Sequence, residues 1–357
     1  MKCLDDIGEN KKILICPLNW GMGHATRCIP IAKELIAKGH EVDFASDGSP
    51  LELLKIEFPT VRHHALSSYN ISYPTKSILI NVGRKLGNFI KTMRNEHRQV
   101  EGLVAKHQYD IIISDNRFGC HAKSTYNIFI THQINLLSSS GLLDPTIRRF
   151  NQNFINKFDK CWIPDYPDYP GLSGILGHKH SGILNYEYIG PISRMVPYDV
   201  DNKYLVTAIL SGPEPQRTLF EKEVITELNK IDAPTALVSG VINHTIPDYS
   251  TSTMDHFPYM TSDDINKLIC QSEYILFRGG YTSVMDLAKL QKKGICVPTP
   301  GQTEQEYLTK MYAEQKLFPR YVQGKLNLLE ALENMDQYKG FSSMESNSKD
   351  HMYSSPS

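Results

Sequence analysis

The chain has 357 residues, which at about 150 residues per domain points to two domains. Hydrophobic residues make up 41% and charged residues 22%, the balance of a globular protein, so wholesale disorder is excluded. Lys and Arg number 38 against 39 Asp and Glu, a net charge of −1, so a partner held by global positive charge is not expected, nucleic acid above all.

No apolar run approaches the ~20 residues of a membrane span. The opening MKCLDDIGENKK has no apolar core and does not read as a signal peptide. Seven cysteines are scattered at 3, 16, 28, 120, 161, 270 and 296 without a Cys-x-x-Cys pair. Neither a disulfide framework nor a structural zinc site is expected, and a reducing cytoplasm is the simplest home.

Lys12 to Cys16 is a short apolar run that predicts a buried parallel strand. The loop PLNWGMGH follows, then a helix over Ala25 to Lys38 with Ile29, Ala32, Leu35 and Ile36 on one face and Gly39 as its stop. Strands are predicted at 41–45 and 60–66. The stretch 76–106 reads as a long amphipathic helix through Leu79, Val82, Leu86, Phe89, Met93, His97, Val100 and Val104. Strands follow at 110–114, 127–131 and 160–163. The Pro-, Gly- and Tyr-rich segment 165–181 reads as loop, and 188–193 as a last strand running into a linker.

The second half repeats the alternation. Strands are predicted at 204–210, 235–238, 274–277 and 294–297, and helices at 216–229, 262–271, 282–290, 304–316 and 325–334. The serine-rich stretch 340–357 reads as a disordered tail. The expected fold class is α/β, with two Rossmann-like domains, 1–190 and 191–339, facing across a cleft.

Ligands in open α/β sheets bind at the carboxyl ends of strands, so the glycine-bearing turns after strands are the first places to look. Gly21-Met22-Gly23-His24 opens a helix whose positive end favours an anion; a plain tight turn reads equally well. That helix end disfavours a protonated imidazole, so His24 would be held neutral, as a general base needs. Ser211-Gly212-Pro213-Glu214-Pro215-Gln216-Arg217 can hold a phosphate on amides and a hydroxyl, with Arg217 either pairing with it or lying on a solvated helix face. Arg278-Gly279-Gly280-Tyr281-Thr282-Ser283 offers two glycines, two hydroxyls and the first amides of a helix. Asp286, one turn on, suits a ribose hydroxyl pair. Glu304, Gln305 and Glu306 follow the next strand, with side chains suited to sugar hydroxyls.

In order and spacing these motifs resemble the GT-B glycosyltransferases, and among them the peptidoglycan N-acetylglucosaminyltransferase group, glycosyltransferase family 28. That group has a glycine-rich loop ending in His after its first strand, matched by Gly21 to His24. Its Arg-x-Gly-x-x-Thr-x-x-Glu signature is met by Arg278 to Asp286, with the hydroxyl shifted to Ser283 and Asp in place of Glu. Its Gln pair is met by Gln305 with Glu306 in second place. A His-Glu-Gln-Asn-like run is met loosely by His132-Gln133-Ile134-Asn135. The resemblance spans about residues 12–330.

The resemblance implies a hexosyltransferase-type enzyme using a nucleotide-sugar donor, UDP-linked, without a cofactor or metal. The diphosphate would lie on Ser211, Gly212, Gly279, Gly280, Thr282 and Ser283, with Arg217 and Arg278 nearby. Asp286 would hold the ribose, the backbone near Met260, Thr261 and Ser262 the base edge, and Gln305 and Glu304 the sugar. The acceptor, a glycan, lipid or small molecule, would enter from the first half, near loop 67–78. His24 would take the acceptor proton in an inverting transfer. Asp115 would orient it, unless it pairs with Arg117. His132 competes as base or acceptor contact. Nucleotide-sugar hydrolysis, epimerisation and silent nucleotide-sugar binding are alternatives. Arg84, Lys91, Arg94 and Arg98 fall near one helix face, and a solvated face is favoured there over peripheral contact with the inner membrane surface. His63-His64 and His178-x-His180 lack the further ligands of a metal site.

Overall fold

The computed structural model describes residues 2–69, 78–137, 144–179, 182–241 and 246–341, with side chains undescribed at 2, 78–86 and 144. The side chains of Leu79, Val82, Leu86 and Arg84, most of the 67–78 loop, His180 and the tail from 342 lie outside the described residues. The chain divides into two compact units, Met1–Ile192 and Ser193–Ser357.

The first unit is built on β1 (Lys12–Pro17), β2 (Glu41–Ser46), β3 (His63–Ala65), β4 (Ile111–Asp115), β5 (Tyr126–Ile130), β6 (Lys160–Ile163) and β7 (Tyr186–Tyr188). They form one sheet in the order β3-β2-β1-β4-β5-β6-β7, with parallel pairings throughout. Helices α1 (Gly23–Ala37), α2 (Gly48–Glu57), α3 (Ile78–His107) and α4 (Asp144–Ile155) cross between strands. The unbroken apolar runs of β1 and β4 are explained by burial on both faces: Ile13, Leu14, Ile15, Ile112 and Ile113 are fully buried. The strand order reverses between β1 and β4, which is where such sheets open a ligand crevice. Their register sets Pro17 opposite Asp115, so the two strands end side by side at that point.

The second unit repeats the plan with β8 (Tyr204–Ile209), β9 (Thr235–Val238), β10 (Met254–Phe257), β11 (Ser272–Phe277) and β12 (Lys293–Cys296) in the order β10-β9-β8-β11-β12, again all parallel. Its helices are α5 (Gln216–Leu228), α6 (Ser262–Cys270), α7 (Tyr281–Leu290), α8 (Thr303–Glu314) and α9 (Leu328–Glu333). Its core gathers Val206, Phe220, Val224, Leu237, Leu276 and Leu328. The reversal lies between β8 and β11, and both expected glycine turns of this half leave from those two strands.

Three elements were not expected. α2 begins at Gly48-Ser49-Pro50, a turn-like start that hides a helix. α4 is mostly polar, and β10, Met-Asp-His-Phe, alternates buried and half-buried positions without an apolar run. The strand expected over 60–66 shortens to three residues, and the one expected over 188–193 pairs at 186–188 instead. The buried face of α1 is also wider than expected and rotated: Ala25, Arg27, Cys28, Ile31 and Ala32 are buried while Ile36 is exposed. All seven cysteines are buried and unpaired as thiols.

Candidate active site

The glycine-rich loop of the first unit is fixed at both ends. Leu18 N donates to Asp115 O at 3.0 Å, and Asn19 Nδ2 donates to Asp47 Oδ2 at 2.9 Å. Gly21 sits at φ +90°, which only glycine takes without strain, and lets the chain turn into α1. Met22 caps α1 without a side-chain bond.

His24 is the second residue of α1, and its Nδ1 lies 2.8 Å from Asp115 Oδ1. Asp115 is fully buried. Burial pushes its carboxyl up, but the Arg27 guanidinium and His24 outweigh this and hold it at about 2. It is therefore a carboxylate that only accepts, so the His24 Nδ1 facing it carries a proton. The alternative partner for Asp115 is corrected: Arg117, itself fully buried, bonds Asp47 Oδ1 at 2.7 Å and Glu96, and Arg27 takes its place beside Asp115. Arg27 was not singled out in the sequence, although its i+3 spacing from His24 puts both on one helix face. His132, expected as a rival base, is buried with Nδ1 3.2 Å from Arg27 Nη1. Asn135 ties down the 175–178 loop through bonds to Ile175 O at 2.6 Å and His178 O at 2.7 Å. Lys91, Arg94 and Arg98 are exposed on α3. His64 bonds Tyr109, and His178 lies against Asp165.

In the second unit, three helix starts carry no side-chain cap: α5 behind Pro215, α7 behind Gly280 and α8 behind Gln302. By contrast Thr261 caps α6 and Asn327 caps α9. The first turns of α5 and α7 hold no acidic residue, whereas that of α8 holds Glu304 and Glu306. A start free of carboxylates, as at α7, suits an anion, whereas at α5 Glu214 already accepts from Thr218 N at 3.2 Å; carboxylates at a helix start suit neutral hydroxyls. Thr282 and Ser283 stand half-buried in the first turn of α7, and Ser211 and Gly212 are exposed after β8.

Side chains draw these turns together. Gln305 Oε1 accepts from Thr299 N at 2.8 Å, and a Cβ placed on Gly280 would lie 3.9 Å from Gln305 Nε2. A Cβ on Gly212 would lie 3.5 Å from Thr299 Oγ1, a buried hydroxyl without a partner among the described residues. Thr299 was not foreseen; its place at the end of β12 beside Pro298 and Pro300 was the only signal. Glu306, standing where the family has a second Gln, accepts from Gly301 N at 3.0 Å.

Two expected contacts point elsewhere, those of Arg217 and Arg278. Arg217 is engaged by Glu214 at 2.6 Å and Glu221 at 3.1 Å, so two carboxylates already face its guanidinium. Arg278 is buried, donates to Gln323 Oε1 and Gln216 O at 2.8 Å, and stacks on the Phe220 ring at 3.9 Å. Burial lowers it to about 10, and it clamps α5 to β11 beneath the turn rather than facing outward. The Thr261 hydroxyl donates to Asp264 Oδ2 at 2.6 Å as part of its cap, and Met260 packs on the core beside it. Asp286 is half-buried and accepts from Ser193 Oγ at 2.6 Å. Burial pushes it up to about 6, against the smaller opposing pull of Ser193 and Arg194.

Residues 239–352 match the glycosyltransferase family 28 C-terminal domain. A protein named an uncharacterized glycosyltransferase from Methanosarcina mazei is 26% identical over 323 residues, covering 83% of this chain and 81% of its own length. Among solved structures, the glycotransferase of kitacinnamycin superposes with a TM-score of 0.68 at 12% identity, covering 95% of this chain and 94% of that one. Arabidopsis thaliana UGT89C1, solved with UDP-L-rhamnose, superposes with a TM-score of 0.63 at 11% identity, covering 97% of this chain and 95% of that one. Among the described residues no helix is long and apolar enough to cross a membrane.

Proposed function

We propose that this chain, a GT-B glycosyltransferase with a C-terminal domain of the family 28 kind, moves a hexosyl group from a UDP-linked sugar to an acceptor hydroxyl with inversion. The observation that carries this reading is the His24 Nδ1 contact with the buried Asp115 carboxylate, 2.8 Å, at the strand-order reversal of the first unit. A neutral imidazole held through Nδ1 offers Nε2 as a general base.

In the reaction the acceptor oxygen forms a bond to the anomeric carbon as the bond from that carbon to the diphosphate oxygen breaks. The acceptor proton passes to His24 Nε2, and the departing diphosphate keeps the bonding pair. The uncapped start of α7, with Thr282 and Ser283, and Ser211 after β8 would bear the charge that develops on it, so this step calls on no metal. Asp286 would hold the ribose, and the more acidic start of α8, with Gln305 and Glu304, would meet the sugar hydroxyls.

A panel of UDP-, GDP- and dTDP-sugars tests the donor by thermal shift. A matching donor at one hundred times its Kd stabilises by about 2.7 kcal/mol. UDP-sugars should raise Tm most, and His24→Ala should keep that shift while losing turnover by about 10²-fold or more. Free sugar released as fast without acceptor as with it would make the chain a hydrolase, and wild-type turnover in His24→Ala would remove the base.

A further inference from the structure

Arg27 is buried one turn into α1 and meets Asp115, His132 and His24. Its Nε donates to Asp115 Oδ2 and its Nη2 to Oδ1, a fork across both carboxylate oxygens. Its Nη1 meets His132 Nδ1 at 3.2 Å, and Nη2 lies 3.1 Å from His24 Nδ1. A guanidinium has five N–H donors and no acceptor. His132 Nδ1, facing that donor, is the acceptor of its ring and Nε2 bears the proton; Gln133 Nε2 lies 3.3 Å from Nε2, and its amide meets that proton with its oxygen once its O and N are exchanged. His24 Nδ1 has both kinds of neighbour, and the shorter contact decides: its proton points to Asp115 Oδ1 at 2.8 Å, while Arg27 Nη2, 3.1 Å away, donates to that same oxygen rather than to the ring. One guanidinium–carboxylate unit holds two histidines in opposite tautomers.

We propose that Arg27 is a positioning residue that selects the base of this site: it locks Asp115 against His24 Nδ1 and occupies the lone pair of His132 Nδ1, leaving His24 Nε2 as the proton acceptor. The proposal rests on the reading of His24 as the base. Arg27 also balances charge there. The groups that meet at His24 are Asp115 from β4, Arg27 and the Cys28 thiol from α1, whose Sγ lies 3.7 Å from Asp115 Oδ2, and His132 beyond Arg27. With Arg27 present they sum to no net charge. Without it a lone carboxylate faces the imidazole and favours an imidazolium–carboxylate pair that cannot accept a proton.

Nitrogen-15 spectra of the full chain labelled at histidine, with no ligand added, read the tautomers directly. His24→Gln and His132→Gln spectra assign the two rings. At about pH 8, His24 should show a protonated Nδ1 and a bare Nε2, and His132 the opposite. Either ring in the other tautomer, or averaged between the two, overturns the proposal.

Rates are read as UDP released from UDP-glucose and UDP-N-acetylglucosamine. Arg27→Met should move the acid limb of the rate profile up by about one pH unit, costing roughly tenfold below it and recovering at high pH. Arg27→Lys keeps the charge without the fork, so the limb should stay while the rate falls at every pH. Equal, pH-independent losses in both variants would mean a merely structural role. If wild type releases no UDP from either sugar, the transfer reading is in doubt while the tautomer test still stands, and it also decides the matter if Arg27→Met fails to fold.

Discussion

Gly280 and Gln305 face each other, with a Cβ on the glycine falling 3.9 Å from Gln305 Nε2, an ordinary contact distance. Gly280 has φ −66°, which any residue adopts. The fold does not require glycine there, but a diphosphate approaching the start of α7, as proposed, would. Gly280→Ala should leave Tm within about 2 °C of wild type, the scale of a neutral surface change. It should still weaken UDP binding about tenfold or more by calorimetry, through crowding of the open amides. Unchanged UDP affinity would take the diphosphate away from this turn.

Its neighbour Gly279 behaves oppositely. It sits at φ +73°, and a Cβ there would lie 2.3 Å from Cγ2 of the fully buried Thr309. Neither the backbone nor Thr309 can give. Gly279→Ala should cost about 2–4 kcal/mol in denaturant unfolding. A variant as stable as wild type would mean that α8 shifts freely, contrary to its packing.

If Asp286 holds the ribose, as proposed, it links donor affinity to pH. Its folded value, about 6, lies above the ordinary 3.8 because burial disfavours the charge. A raised carboxyl contributes stability that is fully present below about pH 4 and lost as pH rises through about 6. Asp286→Asn keeps an acceptor for Ser193 and should stabilise the second unit by about 1–2 kcal/mol at neutral pH, after allowance for its partial exposure. The same change should weaken UDP by about 1.5–3 kcal/mol if the carboxylate holds the ribose. Wild-type affinity should also fall as pH drops through about 6. A pH-independent Kd would count against the ribose role.

Asp115 runs the other way. Its value of about 2 lies below the ordinary 3.8, because Arg27 and His24 outweigh the burial that would raise it. Its contribution is present above about pH 4 and lost as pH falls toward about 2. Asp115→Ala leaves the Arg27 guanidinium buried and uncompensated and should cost about 3–5 kcal/mol. Asp115→Asn should fold better and still lose most turnover, because an amide can donate to His24 Nδ1 and reverse its tautomer. Full activity in Asp115→Asn would separate the carboxylate from the chemistry.

Much of this was legible in the sequence because parallel strands and glycine turns leave strong local marks. The runs at β1 and β4, the Gly21–His24 loop and the Arg278–Asp286 turn could be read without coordinates, and His24 with Asp115 followed from strand ends. Arg27 could not be found that way, since an arginine in an amphipathic helix ordinarily points to water. Its burial follows from the rotated face of α1, where Ile36 rather than Arg27 is exposed. Arg217 and Arg278 erred in the other sense. A cation beside a glycine turn suggests a phosphate, but Glu214 and Glu221 sit at i−3 and i+4 from Arg217, and Phe220 lies under Arg278. The Phe220 contact appears only once neighbouring elements are packed, whereas the Glu214 and Glu221 pairings follow local helix spacing that the phosphate reading of Arg217 passed over. The strand β10 and the helices α2 and α4 escaped because each is short or polar and owes its form to tertiary contacts.

The buried thiols give the chain an internal reporter. Burial alone drives Cys161 upward, and it is the leading cause raising Cys3 to about 11 and lifting Cys28, Cys120 and Cys296 well above the ordinary range. Shielded thiols with so little thiolate react only when the surrounding structure opens. Cys3, Cys16, Cys28, Cys120 and Cys161 lie in the first unit, and Cys270 and Cys296 in the second. Labelling followed by mass spectrometry would therefore time the opening of each unit separately on the native chain, and a bound donor that slows Cys270 and Cys296 alone would identify the unit that holds it.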